Sequence, residues 1–264
     1  MAKWALGLPA GGFRMRRLEG KYALVTGASR GLGAAIARQF SAEGAHVGVV
    51  YRSSAKGAQE LAAELEGAGA KVDTFPADVA DASAVRGLFD EVDRRWRRLD
   101  ILVNNAGVTG SSPQGIDPGA WDDVMNPNAR GAYLCTQAAI PLFQRNPKGK
   151  VLFVSSDVVI TGSARSPPYA ASKAALLALT KSYALQLAPH VQVNAVAPGF
   201  MDTESIMARP DMTPQKIASI KESTPLRDFT HPQEVAKLAA FLCSAEADFI
   251  TGEAVLINGG RVLW

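Results

Sequence analysis

The chain has 264 residues, of which 47% are hydrophobic and 20% are charged, with 24 glycines and 15 prolines. This composition is typical of a globular protein and excludes a collagenous, disordered or disulfide-rich chain. The formal net charge is +3, but four basic residues precede the first acidic residue, Glu19, and the remainder is nearly neutral. No apolar run approaches the roughly 20 residues of a membrane span. We therefore expect neither a nucleic-acid partner nor a membrane protein.

Residues that form disulfides or bind metals are few and scattered. Cys135 and Cys243 are far apart, each in an apolar run, so two buried reduced thiols are expected. The three histidines have no metal-ligand spacing to one another or to the cysteines. The sequence predicts a metal-free protein of a reducing compartment, with the cytoplasm as the expected location.

The first 18 residues differ from the rest of the chain. They combine Trp4, Phe13 and basic residues with no acidic residue, as in a transit peptide that would direct the protein to an organelle matrix. Low serine content and Pro9 argue against a long amphipathic helix. Both interpretations stay open. The favoured one is a poorly ordered extension over residues 1–18, followed by a single domain over residues 19–264.

Short runs rich in β-branched residues alternate with alanine-rich runs of helical spacing. Strands are predicted at residues 22–26, 46–51, 72–76, 101–104, 151–155, 191–196 and 254–257. Helices are predicted at residues 31–42, 55–67, 82–95, 118–143, 169–187 and 232–243. This alternation is typical of βαβ units. It predicts an α/β fold with a doubly wound, seven-stranded parallel sheet, a Rossmann fold.

One long connection interrupts the alternation, between the sixth strand and the helix at Pro232. A loop of about thirty residues in a compact domain is usually functional or disordered. It carries Met201, Met207 and Met212, and a short helix is predicted at residues 214–222. The methionines either form an adaptable apolar contact surface or pack the short helix onto the core. Both interpretations stay open.

The first predicted strand runs directly into a glycine-rich turn that opens the first helix. Gly27 permits the tight turn, Gly31 lets the backbone approach a pyrophosphate, and Gly33 lets the helix pack against the strand. The free N–H groups and positive dipole at the start of a helix favour phosphates. A glycine cluster in this strand–turn–helix context predicts a dinucleotide site.

The end of the second predicted strand indicates which dinucleotide is bound. An acidic residue there binds the ribose hydroxyls of NAD, whereas a basic residue accommodates the 2′-phosphate of NADP. This strand ends without a carboxylate. Arg52 can bind a phosphate bidentately, Ser53 adds a hydroxyl donor, and Arg30 adds a second cation. The sequence predicts NADP(H).

A tyrosine and a lysine follow the fifth predicted strand, at whose end lie Ser155 and Ser156. Tyr169 and Lys173 lie at positions i and i+4 of a predicted helix and share one face. A nearby ammonium group is expected to lower the pKa of the phenol from about 10 toward working pH, as acid–base catalysis requires. We interpret the pair as the catalytic centre. The alternative is an aromatic residue at a helix start beside an exposed lysine.

Seven motifs, in this order, resemble those of the short-chain dehydrogenase/reductase family, and the likeness covers about residues 18–260. They lie at residues 26–33, 78–79, 104–107, 128, 156, 169 with 173, and 198–199. Within that family the chain is most similar to 3-oxoacyl-(acyl-carrier-protein) reductases and related NADPH-dependent carbonyl reductases. The resemblance implies reduction of a ketone or a 3-oxoacyl thioester to the alcohol by hydride transfer.

The resemblance implies a role for each of four polar side chains. Tyr169 would give a proton to the carbonyl oxygen as the hydride arrives, and Lys173 would lower the pKa of Tyr169 and bind the nicotinamide ribose. Ser156 would hydrogen-bond and polarise the substrate carbonyl. Asn128 would hold a water that links Lys173 to solvent.

The resemblance also implies the cofactor contacts. Asp78 and Val79 would border the adenine, and the backbone after Pro198 with the Thr203 hydroxyl would orient the carboxamide. The full set implied is Gly27, Ser29, Arg30, Gly31, Leu32, Gly33, Arg52, Ser53, Asp78, Val79, Asn105, Ala106, Gly107, Tyr169, Lys173, Pro198, Gly199 and Thr203.

Three positions depart from the family pattern. Pro127 precedes Asn128 inside a predicted helix, and we expect it to be tolerated at a kink. Asp157 follows Ser156, which places a carboxylate either at the substrate entrance or in an ion pair with Arg165. The predicted helix at residues 169–187 ends without the arginine that carrier-protein reductases use toward an acidic partner. Whether an acyl carrier protein binds to this chain therefore stays open.

Two other functions are compatible with the sequence. A sugar or polyol dehydrogenase working in the oxidative direction would use Asp157 and the polar run at residues 203–205, although the methionine-bearing loop argues against it. A cofactor-sensing protein without turnover would usually lack Tyr169 or Lys173, and both are present.

The resemblance and the chain terminus also suggest how the protein assembles. The family implies a homotetramer built on the two long helices after the fourth and fifth strands. The apolar C-terminal residues 262–264 are expected to pack against the body or a neighbouring subunit.

Overall fold

Seven short apolar strands form one parallel sheet. The computed structural model describes residues 16–110, 117–146 and 148–264. The strands are β1 (Tyr22–Val25), β2 (His46–Tyr51), β3 (Val72–Pro76), β4 (Ile101–Asn104), β5 (Gly149–Val154), β6 (Val191–Pro198) and β7 (Ala254–Ile257). Their order is β3-β2-β1-β4-β5-β6-β7, with every pair parallel. The doubly wound, seven-stranded sheet predicted from the sequence is confirmed. The order reverses between β1 and β4, which is where such folds bind ligands.

Helices cover both faces of the sheet. They are α1 (Gly31–Ala42), α2 (Ala55–Gly67), α3 (Ala82–Trp96), α4 (Pro118–Met125), α5 (Gly131–Phe143), α6 (Val158–Thr161), α7 (Pro167–Leu187), α8 (Glu204–Met207), α9 (Pro214–Ser223) and α10 (Pro232–Leu242). Alternate side chains of β1 enter different cores: Val25 packs with α1, α2 and α10, and Leu24 packs with α3, α5 and α7. The sheet is therefore buried on both sides, as its continuous apolar strands require.

The single helix predicted at residues 118–143 is divided. A five-residue π-helical turn (Asn126–Arg130) separates α4 from α5 and contains Pro127. Proline has no N–H to donate, and the backbone bonds widen locally, so that the Gly131 N–H donates to the Asn126 carbonyl. The helix thus accommodates the proline at a local distortion, as expected, and Asn128 lies buried within this turn.

Two residues just before the predicted start of the domain pack against it. Of the predicted extension, residues 1–15 lie outside the described part of the chain. Leu18 is fully buried in the core, and Arg17 donates to Glu43 at 2.7 Å. The free thiols of Cys135 and Cys243 are buried, which raises the pKa of each to about 12. Across the described ranges, no helix is both long and apolar enough to cross a membrane.

The long connection after β6 folds as a small substructure containing α8 and α9. Met212 packs with Ile220 and Phe229 in a separate apolar cluster, which Met207 also contacts. Met201 instead packs against the main core and lines the clefts described below. Met207 and Met212 therefore pack around the short helix, whereas Met201 forms part of the apolar surface of the clefts. Each interpretation of the sequence holds for part of the set.

The chain end does not pack as the sequence suggested. Leu263 is 77% exposed and Trp264 is 67% exposed, so packing of these two side chains against the body is wrong. The reason is a turn at Gly259 and Gly260, both at positive φ, beyond which the last anchoring contact is the Val262 carbonyl. Packing against a neighbouring subunit stays a prediction.

Candidate functional site

Two adjoining clefts open at the carboxyl ends of the central strands. One has a volume of about 360 Å³ and runs along the glycine-rich turn and the ends of β2 and β4. The other, of about 300 Å³, lies beyond the ends of β5 and β6. Tyr169, Thr109, Met201 and Ile206 line both. A ligand in the first cleft therefore meets a ligand in the second at Tyr169.

The turn after β1 is held by the end of β4. The Thr26 hydroxyl accepts the N–H groups of Asn105 and Ala106, each at 3.0 Å. In return, the Asn105 side-chain amide donates to the carbonyls of Thr26 at 2.8 Å and Gly27 at 3.1 Å. These bonds fix the shape of the turn, so Asn105 acts on the first cleft through the backbone it holds.

The glycines of the turn meet different surroundings. Gly27 has φ +62°, which favours glycine. A Cβ atom on Gly33 would lie 2.4 Å from the Gly27 carbonyl oxygen and 2.5 Å from the Asn105 amide nitrogen. A Cβ atom on Gly31 would meet nothing nearer than the Thr203 methyl group, at 4.0 Å. Gly33 is therefore required by packing, whereas Gly31 leaves open space on the side of the cleft.

Substitutions at these two glycines are expected to fail in different ways. Gly33→Ala forces a backbone clash and should cost about 3 kcal/mol or more of folding stability. Gly31→Ala places alanine at φ +56°, which costs only about 1 kcal/mol but fills cleft space. Thermal melts and dinucleotide titrations separate the two effects. A Gly33→Ala protein that melts with the wild type would contradict this account.

The residues of the first cleft fit a dinucleotide. The N-terminus of α1 has no side-chain cap at Arg30 and no acidic residue in its first turn, so free N–H groups remain for a phosphate. The cleft is lined by all the predicted cofactor residues except Lys173, Pro198 and Gly199. Pro198 and Gly199 line the second cleft. Tyr51, Ser54 and Ala77 also line the first cleft, and they were not predicted because no motif marks them.

Two arginines line the first cleft. Arg52 and Arg30 are both exposed and line it together with Ser53. The Arg52 guanidinium lies 3.9 Å from a carboxylate oxygen of Asp78. This exposed ion pair is long and contributes little by itself, so the Arg52 side chain is free to turn toward a phosphate.

The catalytic candidates come from β5 and α7. Ser155 and Ser156 follow β5, and the Ser155 hydroxyl donates to the Lys173 carbonyl at 2.9 Å, which ties the strand to the helix. The side chain of Ser166 caps α7 by accepting the Tyr169 N–H. One turn later, the Lys173 ammonium lies 5.6 Å from the centre of the Tyr169 ring. The structure thus brings Ser156, Tyr169 and Lys173 to one place.

Burial shifts the pKa values of both Tyr169 and Lys173. Burial raises the pKa of Tyr169, a hydrogen bond from Ser156 lowers it less, and the charge of Asp157 raises it further. Burial lowers the pKa of Lys173 to about 8. The Lys173 ammonium is itself costly to charge there, and it donates to the Val154 carbonyl at 2.7 Å. The lowering of the Tyr169 pKa by Lys173 stays a prediction.

The Asn128 side chain is hydrogen-bonded to the protein around it. Its side-chain oxygen accepts the Val108 N–H at 2.7 Å, and its amide donates to the Val108 carbonyl and the Ser172 hydroxyl, each at 2.9 Å. A Cβ atom on Gly107 would lie 2.9 Å from the Asn128 side-chain oxygen and 3.6 Å from the Lys173 nitrogen. Asn128 therefore holds the chain after β4 against Lys173. The water predicted here stays a prediction.

The second cleft is apolar inside and charged at its rim. Val158, Phe200, Met201 and Ile206 line it beside Ser156 and Tyr169. The rim carries Arg165, Arg209, Asp211 and Lys216. Asp211 pairs with Arg209 at 2.7 Å and with Arg165 at 3.2 Å.

Asp157 has a different partner from the one the sequence suggested. Its carboxylate accepts from Arg261 at 2.7 Å, whereas Arg165 pairs with Asp211. The predicted pair of Asp157 with Arg165 is wrong, because the C-terminal segment brings Arg261 to the end of β5. No local sequence pattern signals this contact.

Comparison with known proteins shows similarity over the whole domain. A family model described as enoyl-(acyl carrier protein) reductase matches residues 27–261. The chain is 37% identical over 249 residues to the 3-oxoacyl-(acyl-carrier-protein) reductase FabG of Thermotoga maritima, covering 94% of this chain and 100% of that protein. It is 38% identical over 245 residues to the FabG of Staphylococcus aureus strain Mu50, covering 92% and 98%.

A solved structure shows the same similarity. A dehydrogenase/reductase from Sinorhizobium meliloti 1021 is 34% identical, covers 95% of this chain and 98% of its own, and superposes with a TM-score of 0.86. The similarity therefore includes both clefts.

Proposed function

Because the chain belongs to the short-chain dehydrogenase/reductase family, we propose that it reduces a ketone or a 3-oxoacyl thioester to the alcohol with NADPH. It is an oxidoreductase of that family, whose members use a nicotinamide cofactor. The observation that carries the proposal is the meeting of the two clefts at Tyr169, beside Ser156. A carbonyl there would contact both hydroxyl groups.

The chain's own residues bind, orient and donate the proton. The bound nicotinamide cofactor supplies the hydride. Ser156 donates a hydrogen bond to the substrate carbonyl, and the Tyr169 hydroxyl gives its proton to the same oxygen. Lys173 binds the nicotinamide ribose, and Asn128 holds the adjoining backbone and a water that leads to solvent.

The ionisation of Tyr169 is compatible with its role as proton donor. Carbonyl reduction needs a proton donor, and a phenol whose pKa is raised by burial is protonated at neutral pH.

The preference for NADPH is assigned to Arg52, aided by Ser53 and Arg30. Arg52→Gln should raise KM for NADPH by about tenfold or more, because a charge-assisted bond to the 2′-phosphate is lost, and should leave KM for NADH nearly unchanged. Lys56→Gln is the matched control, since Lys56 is an exposed cation on α2 outside the cleft. Equal effects on both cofactors would contradict the assignment.

The second cleft suits an acyl chain on an anionic carrier. Its apolar interior fits a hydrocarbon, and its rim has three cations against the single carboxylate of Asp211. The rim therefore favours a thioester whose carrier arm bears phosphate. The relatives' names include an acyl carrier protein, which is the carrier proposed here. A homotetramer is proposed from the family, and Tyr133 on α5 and Leu185 on α7 are exposed as such an interface requires.

Absorbance of the reduced cofactor tests the function directly. NADPH and NADH are each supplied with an acetoacetyl thioester and with a simple activated ketone, and NADP⁺ is supplied with sugars and polyols. We expect turnover with NADPH on the thioester. Oxidation of a polyol without reduction of either carbonyl would replace the proposal with the oxidative alternative.

A further inference from the structure

An ion pair joins two separate segments at the rim of the second cleft. Arg165 lies between α6 and α7, whereas Asp211 lies in the connection after β6, between α8 and α9. The Arg165 guanidinium donates to the Asp211 carboxylate at 3.2 Å, and both side chains line the cleft. The rim is therefore held together by charged groups that lie outside the reacting centre.

A second guanidinium binds the same carboxylate. Arg209 donates from Nε to one Asp211 oxygen at 3.0 Å and from Nη2 to the other at 2.7 Å. Arg165 donates to the first of these oxygens. The bonds from Arg209 are the largest cause that lowers the pKa of Asp211, so the carboxylate is ionised at neutral pH. One carboxylate thus occupies donors of two arginines.

Positive charge is in excess at this rim. Lys216, in the first turn of α9, lines the cleft together with Arg165 and Arg209. Asp211 is the single carboxylate set against these three cations at the rim. The rim therefore attracts an anion even while Asp211 is paired.

The rim lies where the far end of a bound substrate would emerge. A substrate whose carbonyl lies at Ser156 and Tyr169 extends along the apolar lining of the second cleft, and its other end meets the arginines. A phosphate monoester has three acceptor oxygens and about two negative charges, whereas a carboxylate has two oxygens and one charge. Guanidinium groups bind phosphate bidentately. An exposed ion pair contributes little free energy, so a phosphate can displace Asp211.

We infer that Arg165 and Arg209 form a binding site for a phosphate group on the arm that carries the acyl chain, and that Asp211 is the carboxylate which this phosphate displaces. The inference rests on the proposed function and deepens it, since it names the residues that recognise the carrier. Asp211 pairs with the two arginines when no phosphate is bound. A thioester without phosphate makes no such contact at the rim.

Two thioesters that differ by one phosphate test the inference. Acetoacetyl-pantetheine and acetoacetyl-4′-phosphopantetheine carry the same acyl group, and the ratio of their kcat/KM values measures the preference for phosphate. We expect the wild type to prefer the phosphorylated thioester. Arg209→Gln should lower this preference by about tenfold, because a charge-assisted contact is lost. Asp211→Asn should raise it by about threefold, because the competing charge is removed.

Arg227→Gln and Glu222→Gln are the matched controls. Arg227 donates to the Glu222 carbonyl, and both are exposed residues that line neither cleft. These variants change the net charge of the same connection by the same amounts as the two test variants. They should leave the preference within about twofold of the wild type, because solvent and salt screen exposed charges outside the cleft.

Three results would overturn the inference. One is a wild type that does not prefer the phosphorylated thioester. Another is an Arg209→Gln protein with the preference of the wild type, which would mean that the ion pairs only hold the rim together. The third is an Asp211→Asn protein whose preference does not rise.

Binding without turnover separates this inference from the proposed function. Isothermal titration with 4′-phosphopantetheine, which has no acyl group to be reduced, measures the phosphate contact by itself. Its affinity should fall by about tenfold in Arg209→Gln and stay within about twofold in Arg227→Gln. Equal affinity in Arg209→Gln and the wild type would overturn the inference. If the wild type reduces no thioester, the proposed function fails, and this titration still decides whether the rim binds phosphate.

Discussion

Replacing Tyr169 with phenylalanine is expected to lower kcat by about 10³-fold, because the proton donor to the carbonyl oxygen is removed. Affinity for NADPH should stay within about twofold, since the ring remains and the phosphate contacts lie elsewhere in the first cleft. Steady-state kinetics and cofactor titration by fluorescence measure the two quantities.

Tyr183→Phe is the matched control for that substitution. Tyr183 is a buried tyrosine on the same helix, and its hydroxyl accepts from Gln137, outside both clefts. Its loss should cost about 1 kcal/mol of stability and no turnover. A Tyr169→Phe protein that kept most of its rate would refute the assignment of Tyr169 as the proton donor.

Replacing Lys173 with methionine is expected to abolish most turnover and to stabilise the folded protein. Burial lowers the pKa of Lys173 from 10.5 to about 8. Between these values the unfolded chain binds more protons than the folded one, so stability rises with pH through that window. Below about pH 8, the buried ammonium destabilises the folded protein by its full free-energy cost of roughly 3 kcal/mol. Methionine removes this penalty and loses only the bond to Val154, which is worth about 1 kcal/mol.

Thermal melts at two pH values measure this effect. At about pH 7, Lys173→Met should raise Tm by about 5 °C, and the gain should shrink as the pH rises above about 8. Lys150→Met is the matched control. Lys150 is also buried, but its ammonium donates to Asp248 at 2.8 Å, so its loss removes one of the two cations that pair with Asp248, the other being Lys148, and should lower Tm. A Tm that falls in both variants would contradict the penalty assigned to Lys173.

The architecture and the location of the site could be predicted from local sequence patterns. Strands and helices follow from periodicity, which depends on neighbouring residues along the chain. The strand–turn–helix context of Gly27, Gly31 and Gly33 indicated the first cleft, and the spacing of Tyr169 and Lys173 indicated the place where the two clefts meet, at Tyr169. These signals are local because a turn and a helical face are defined within a few residues.

The boundaries of single elements were less predictable. The pattern at residues 118–143 is continuous, yet the π-helical turn at Asn126–Arg130 divides it. Its position depends on how Pro127 is accommodated and on what Asn128 contacts, and the second of these is a tertiary interaction.

The sequence by itself determined the order of the elements, the glycine-rich turn and the tyrosine–lysine pair, since each rests on short-range spacing. Only the tertiary structure decided the partner of Asp157, because Arg261 lies 104 residues away and reaches it through the adjacency of β5, β6 and β7. The same holds for the ionisation of Tyr169 and Lys173. Their spacing predicts that they are neighbours, but the pKa of each is set by burial, and burial depends on everything that packs around them.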